Sequence, residues 1–119
     1  MRLDGIGGKI GHAEIMIGDS RIMLADEHPQ MDARGPNAFG GSPVTLHLYV
    51  DDADAWVARA LAAGATLKRP LADQFYGDRI GGVTDPFGYT WWLATRKQTL
   101  SVEELQRRSA AVLKEKGGG

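Results

Sequence analysis

The stretch that decides the fold is Val44-Thr-Leu-His-Leu-Tyr-Val-Asp-Asp52. Its first seven residues alternate between the two faces of an extended chain, which predicts a strand. One face is aliphatic, and the other is polar and aromatic and carries Thr45, His47 and Tyr49. Either of the aspartates that follow can cap a helix. A strand that leads at once into a helix favours a sheet whose aliphatic face is covered by helices.

Towards the C-terminus, helical spacing of apolar residues predicts a helix that ends at Gly64. Three more strands are predicted up to residue 96, and the turn Asp85-Pro-Phe-Gly88 precedes the last of them. A capping box, Ser101-Val-Glu-Glu104, begins a C-terminal helix predicted over 101–116.

Towards the N-terminus, residues 12–17 alternate in the same way. Their apolar face consists of Ala13, Ile15 and Ile17, and their other face of His12, Glu14 and Met16. Gly18-Asp-Ser20 is typical of a turn, and a second strand is predicted from Arg21 to Ala25. Residues 28–43 are rich in Gly and Pro and predict a linker. The complete order of elements predicts an α+β fold.

Composition excludes several classes of protein. A chain of 119 residues with 43% hydrophobic residues fits one domain over 1–119. A formal net charge of −1 and a pI of about 6.3 give no basic footprint for nucleic acid or an anionic membrane. The absence of cysteine excludes disulfides, thiolate nucleophiles and Cys-ligated metals. No apolar stretch fits a signal peptide or a membrane helix, so a cytoplasmic protein is predicted.

The chain resembles the vicinal oxygen chelate superfamily, which includes glyoxalase I, bleomycin-resistance proteins and extradiol dioxygenases. The markers of its second βαβββ module are Leu46-His-Leu-Tyr-Val-Asp-Asp52, Ala62-Ala-Gly-Ala65 and Asp85-Pro-Phe-Gly88. The PhnB-like branch is the most similar. Its characteristic stretches resemble Lys9-Ile-Gly-His-Ala-Glu14, Gly18-Asp-Ser20, Met23-Leu-Ala-Asp-Glu27 and Asp73-Gln-Phe-Tyr-Gly-Asp-Arg79.

This resemblance implies two modules that form a curved mixed sheet around a cup, with helices on one face. Residues 9–27 would be a partial first module, 28–43 the linker and 44–96 the second module. The first strand–helix unit of the family is absent from this sequence, so the N-terminal module is incomplete. A partner chain supplies the missing edge, the cup is open, or the chain is a fragment. Because an unpaired sheet edge invites pairing, we expect a homodimer, with swapped modules as one way of forming it.

Metal-dependent relatives place four ligands in the cup, two from each module. The first of these positions is missing here, and the others correspond to Met23, His47 and Trp92. A thioether is unsuited to a hard divalent ion and an indole cannot bind one, so His47 is the one usable ligand. We therefore predict no metal cofactor, with a divalent ion as the alternative.

The resemblance points the His47 face into the cup, where a small molecule would bind. The predicted lining consists of His47, Tyr49, Trp92, Met16, Met23 and Glu14, with His12, Tyr76 and Arg79 as further candidates. Trp91 and Trp92 point to opposite faces of their strand, so Trp91 should pack under a helix and Trp92 should face the cup.

Each polar candidate also has a structural interpretation. His47 can contact ligand or move a proton near neutral pH, or be a hydrogen-bonded strand histidine. His12 and Glu14 can do acid–base work or form a polar cross-strand contact. Arg79 can grip a carboxylate or phosphate, or pair with a nearby acid.

These residues favour a binding protein over an enzyme. The leading hypothesis is a metal-free protein that binds a small aromatic or cationic molecule, because aromatic side chains line the predicted cup. A metal-dependent lyase, isomerase or dioxygenase is the first alternative. A structural or assembly module completed by another chain is the second.

Overall fold

The computed structural model describes residues 1–117. The chain folds into two sheets and two α-helices, which confirms the α+β class. The first sheet consists of β1 (Arg2–Asp4), β2 (Ile10–Ile17) and β3 (Ser20–Leu24). The second sheet and the helices consist of β4 (Thr45–Tyr49), α1 (Ala53–Ala62), β5 (Thr66–Asp73), β6 (Asp78–Thr84), β7 (Thr90–Arg96) and α2 (Val102–Gly117).

The second sheet is mixed and has the strand order β4-β7-β6-β5. β4 runs parallel to β7, whereas β5, β6 and β7 form an antiparallel meander. The connection from β4 passes through α1, which packs across the meander. Asp52 caps α1 by accepting a hydrogen bond from the N–H of Ala55 at 3.2 Å, and Gly64 ends the turn after α1 with a φ of 110°. The strand-then-helix order predicted from residues 44–52 is confirmed.

The core lies between α1 and the second sheet. It is built on Val57, Val83 and Leu93, with Leu48, Trp56, Ala60, Ala65, Leu71 and Trp91 packed around them. Trp91 therefore lies on the helix side of β7, as predicted, and its Nε1–H donates to Asp85 at 2.9 Å.

The first sheet contains a strand that the sequence pattern does not predict. β1 pairs antiparallel with β2, and Leu3 lies opposite His12. Three residues are too few to display an alternating pattern, so this strand is defined by its backbone pairing alone.

The linker between the sheets is attached to the second module. Two short 3₁₀ turns lie within it, Pro29–Met31 and Pro36–Phe39, and Pro36 is buried. The backbone of Gly88 lies against this second turn, since a Cβ at Gly88 would stand 2.5 Å from Oδ1 of Asn37. Its φ of 98° also requires glycine at the end of the Asp85–Gly88 turn.

The whole arrangement is elongated and open. The Cα radius of gyration is 18.0 Å and the principal extents are 55 × 30 × 26 Å. A compact chain of this length has a radius of gyration of about 14 Å. Within residues 1–117, no helix is long and apolar enough to span a membrane.

Acidification is expected to loosen α2. Arg107 and Arg108 bond to Glu104 and lower the pKa of its carboxyl to about 2. Since the folded pKa lies below the ordinary value, the contribution of these pairs is complete above about pH 4.5 and is lost as the pH falls towards 2. We expect the Cα chemical shifts of α2 to move towards coil values over that range.

Two variants test whether Glu104 is the responsible group. Glu104→Gln should remove this pH dependence, and Glu103→Gln should keep it. Equal pH profiles for the two variants would contradict the role of the Glu104 pairs.

Candidate functional site

The parallel pairing of β4 with β7 assembles a group of aromatic side chains on the face of the second sheet opposite α1. His47 lies beside Trp92, and Tyr49 lies beside Ala94. The rings of His47 and Tyr49 are 5.0 Å apart and tilted by 45°. Both of these side chains are exposed, whereas Trp92 is half-buried. We call this surface, defined by His47, Tyr49 and Trp92, the aromatic face.

Trp92 covers the backbone of the neighbouring strand. Its register partner in β6 is Gly82, and a Cβ built there would stand 2.5 Å from Cζ3 of the indole. Glycine at this position therefore leaves the space that the ring occupies. Gly82 is not among the residues predicted from the sequence, although paired glycines inside a strand are a known sign of a close approach.

A buried carboxylate is hydrogen-bonded to the tyrosine of the aromatic face. Asp78 is 1% exposed, and its Oδ2 accepts a hydrogen bond of 2.6 Å from the hydroxyl of Tyr49. Arg96 donates to the same hydroxyl at 3.0 Å and to Oδ1 of Asp78 at 3.4 Å. These contacts fix the orientation of the Tyr49 ring and satisfy a carboxylate that would otherwise be costly to bury.

Asp78 and Arg96 are further residues that the sequence does not predict for this site. Asp78 follows Gly77 and precedes Arg79, so in the sequence it suggests a local ion pair. The register places it instead opposite Arg96, at the far end of β7. Only this pairing between strands brings Tyr49, Asp78 and Arg96 together.

Tyr76 extends the same cluster from the loop before β6. Burial raises the pKa of its phenol, and the negative charge of Asp78 and the nearby Tyr49 raise it further. Its hydroxyl therefore stays protonated at neutral pH and can donate a hydrogen bond.

Positive charge lies beside these rings. The guanidinium of Arg96 is 4.9 Å from the centre of the Tyr49 ring, and its side chain is 55% exposed. On the other side of Trp92, Nζ of Lys68 lies 3.2 Å from Oγ1 of Thr90. The two cations lie at opposite ends of the run from Thr90 to Arg96, with Trp92 between them.

Arg79 lies on the other face of the sheet, beside α1. It bonds to both carboxylate oxygens of Asp54, at 2.7 and 3.2 Å, and to Asp73 at 3.2 Å. These bonds raise the pKa of Arg79, and the bond to Arg79 lowers the pKa of Asp54. The structure thus places Arg79 in an ion-pair cluster and not with His47.

The remaining candidates lie together on the first sheet. Glu14 and Met23 are register partners, and His12 and Met16 share their face. The carboxylate of Glu14 is 3.6 Å from His12 and 3.8 Å from Arg21. Among residues 1–117, no hydrogen bond or ion pair joins this group to the aromatic face.

The residues at the metal positions of the family do not fit a divalent ion. Trp92 is the register partner of His47 and covers Gly82, while Met23 lies on the other sheet. Within the part of the chain that the structure describes, no three His, Asp or Glu side chains form a group that could hold a metal ion. No catalytic step is therefore assigned to a metal.

An apolar groove of about 460 Å³ lies on the opposite side of the second sheet. Its lining includes Ile17, Leu48, Trp56, Arg59, Pro86 and Trp91. Its floor is formed by core residues Val83 and Leu93, so it is an open edge of the hydrophobic core. It presents few polar groups, since the Asp85 carboxylate is already bonded within its turn and to Trp91.

Comparison with known proteins agrees with this architecture. The model of the Glyoxalase/Bleomycin resistance protein/Dioxygenase superfamily matches residues 2–93. An uncharacterized protein of Mycobacterium bovis is 44% identical over 108 residues, which are 88% of this chain and 71% of that protein. Two uncharacterized proteins of Mycobacterium tuberculosis are also 44% identical over 108 residues, and the chain spans 64% of the length of each.

Solved structures give the same result. Protein PA1353 from Pseudomonas aeruginosa aligns with a TM-score of 0.59 and 29% identity over 76% of this chain and 66% of that one. PhnB protein from Bacillus cereus has the same fold, with a TM-score of 0.52 and 19% identity over 80% of this chain and 74% of its own. The chain belongs to the glyoxalase/bleomycin resistance/dioxygenase superfamily, and its structural neighbours include a PhnB protein.

Proposed function

We propose that the aromatic face binds a small, flat aromatic molecule without a metal ion. The observation that supports this most strongly is the side-by-side placement of His47, Tyr49 and Trp92, two of them exposed at alternate positions of one strand. Exposed rings on a sheet surface offer apolar area together with favourable edge and stacking geometries. A planar ligand that covers them would remove that area from water.

The rigidity of Tyr49 supports the same proposal. Its hydroxyl is bonded to Asp78 and Arg96, so the ring is held before any ligand arrives. A preformed surface loses little side-chain entropy on binding. The network therefore contributes to affinity although Asp78 itself is buried beneath the ring.

The charges beside the rings favour an aromatic molecule with an acidic group over a cationic one. The Arg96 guanidinium already lies over the Tyr49 ring, where a ligand cation would otherwise bind. Arg96 and Lys68 both lie close enough to the face to meet a ligand carboxylate. The carboxylate of Asp78 is buried beneath them and presents almost no negative surface.

Binding is tested with three probes that share a naphthalene ring: 2-naphthoate, the neutral 2-naphthamide and the cationic 2-naphthylmethylammonium. We expect 2-naphthoate to raise the melting temperature most and the ammonium least. His47→Ala removes an exposed ring and should weaken naphthoate binding about fivefold to tenfold, since one aromatic contact contributes roughly 1 kcal/mol.

The matched control is Phe87→Ala, which removes a 70% exposed ring from the turn before β7. This variant should bind 2-naphthoate as the unchanged protein does. Absence of any shift with all three probes would contradict the proposal, as would equal weakening by His47→Ala and Phe87→Ala.

A further inference from the structure

Two methionines and a histidine are neighbours on one face of the first sheet. Met23 of β3 is the register partner of Glu14 in β2. Met16 and His12 lie two residues from Glu14, one on each side, and share its face. Met23 is therefore a diagonal neighbour of both, at a separation of about 7–8 Å that long and aromatic side chains can bridge. The register thus gathers two thioethers and one imidazole around a single position.

Packing in the core does not account for these methionines. The apolar face of β2 consists of Ala13, Ile15 and Ile17, and alternation places Met16 on the opposite face. Within residues 1–117, no methionine belongs to the core between α1 and the second sheet. Methionine commonly fills irregular space in a core, so its pairing here with a histidine and a carboxylate needs another explanation.

The charges beside Met23 suit a monovalent cation. One carboxylate oxygen of Glu14 lies 3.6 Å from Nε2 of His12, and the other lies 3.8 Å from the guanidinium of Arg21. The first distance is too long for a hydrogen bond, so Nε2 is available to bind an ion. Because Arg21 already balances the carboxylate, a divalent ion would bring more uncompensated positive charge to this face than a monovalent ion.

We propose that Met16, Met23 and His12 bind a soft monovalent metal ion, of the class of Cu(I) and Ag(I). Thioether sulfur is a soft ligand that favours such ions, and imidazole nitrogen binds copper as well. The same softness makes the two methionines poor ligands for hard divalent ions. The proposal does not depend on ligand binding by the aromatic face, since none of the three residues belongs to it.

Silver nitrate is the probe, because Ag(I) is soft, monovalent and stable in air. The full chain, labelled with carbon-13 at the methionine methyl groups, is titrated with Ag(I) in chloride-free buffer and followed by NMR. We expect the signals of Met16 and Met23 to shift together and to saturate at a single ion per chain. The signal of Met31, in the first 3₁₀ turn of the linker, should stay in place. Magnesium nitrate should shift neither Met16 nor Met23.

Met23→Leu removes the sulfur at nearly constant side-chain volume, so the fold should tolerate it. It should weaken Ag(I) binding by roughly tenfold or more, since losing even an outer partner of a metal ligand costs about 10–100-fold in affinity. Met31→Leu is the matched control, because Met31 is 69% exposed and Met23 is 65% exposed. This variant should bind Ag(I) as the unchanged protein does.

Three results would overturn the proposal. The first is no shift of Met16 and Met23 at saturating Ag(I). The second is a parallel shift of all the methionines without saturation at a single ion, which would indicate binding at separate side chains. The third is equal weakening by Met23→Leu and Met31→Leu. The titration of the unchanged protein decides between these outcomes even if Met23→Leu fails to fold.

Discussion

Gly82→Ala is expected to lower the free energy of unfolding by about 2 kcal/mol and to displace the ring of Trp92. The new methyl group would stand 2.5 Å from Cζ3 and 2.8 Å from Cε3 of the indole, which is too close for any carbon contact. Gly82 is buried between neighbouring strands, so the ring has to move away from the sheet. Urea denaturation followed by circular dichroism measures the loss of stability.

The same substitution should weaken 2-naphthoate binding, because the displaced indole no longer lies in line with His47 and Tyr49. Gly35→Ala is the control, since its backbone is extended and the nearest atom to the new Cβ is 3.5 Å away. It should change the stability by no more than about 0.5 kcal/mol. Equal stability of the two variants would contradict the placement of Trp92 over Gly82.

Tyr49→Phe is expected to cost about 2 kcal/mol of unfolding free energy. The hydroxyl donates a hydrogen bond of 2.6 Å to a carboxylate that is 1% exposed. Removing the donor leaves Asp78 with the longer contact to Arg96 at 3.4 Å. The cost follows from a buried charge that has lost its strongest hydrogen bond and not from the loss of ring packing.

Tyr89→Phe is the matched control. It also removes one tyrosine hydroxyl, and the exposed fractions of the two side chains are similar, 38% for Tyr89 and 51% for Tyr49. Its effect should be small. A double-mutant cycle with Asp78→Asn should give a coupling energy of about 1 kcal/mol or more between Tyr49 and Asp78. Additive effects of the two substitutions would show that the hydrogen bond contributes nothing to stability.

The elements with strong local signals could be predicted from the sequence. The alternation in residues 44–50 and the cap at Asp52 define β4 and the start of α1 without any tertiary information. The opposite placement of Trp91 and Trp92 follows from the same period of two. β1 could not be predicted, since it exists only through its pairing with β2.

Residues of the candidate site could be predicted only where the alternation of a strand alone determines the face of the sheet on which a side chain lies. His47, Tyr49 and Trp92 come from two strands whose alternation is clear, and the structure brings them together. Asp78 and Arg96 could not be predicted, because their contact depends on the register of β6 against β7. Arg79 lies one residue from Asp78 and therefore on the opposite face, where Asp54 of α1 pairs with it.

For the residues of the first sheet, the sequence predicts a shared face but not their position relative to the second sheet. His12, Glu14, Met16 and Met23 share a face because of strand alternation. Their distance from His47 depends on the conformation of the connection from Leu24 to Thr45, which no local pattern determines.

The most direct test of ligand binding by the aromatic face is a titration of the protein with 2-naphthoate, followed through the indole N–H signals of its tryptophans. Trp92 lies on the aromatic face, whereas Trp56 and Trp91 line the groove on the helix side. We expect the Trp92 signal to shift in a saturable way while those of Trp56 and Trp91 stay in place. Shifts confined to Trp56 and Trp91, or no shift at saturating probe, would contradict the assignment of the aromatic face as the binding site.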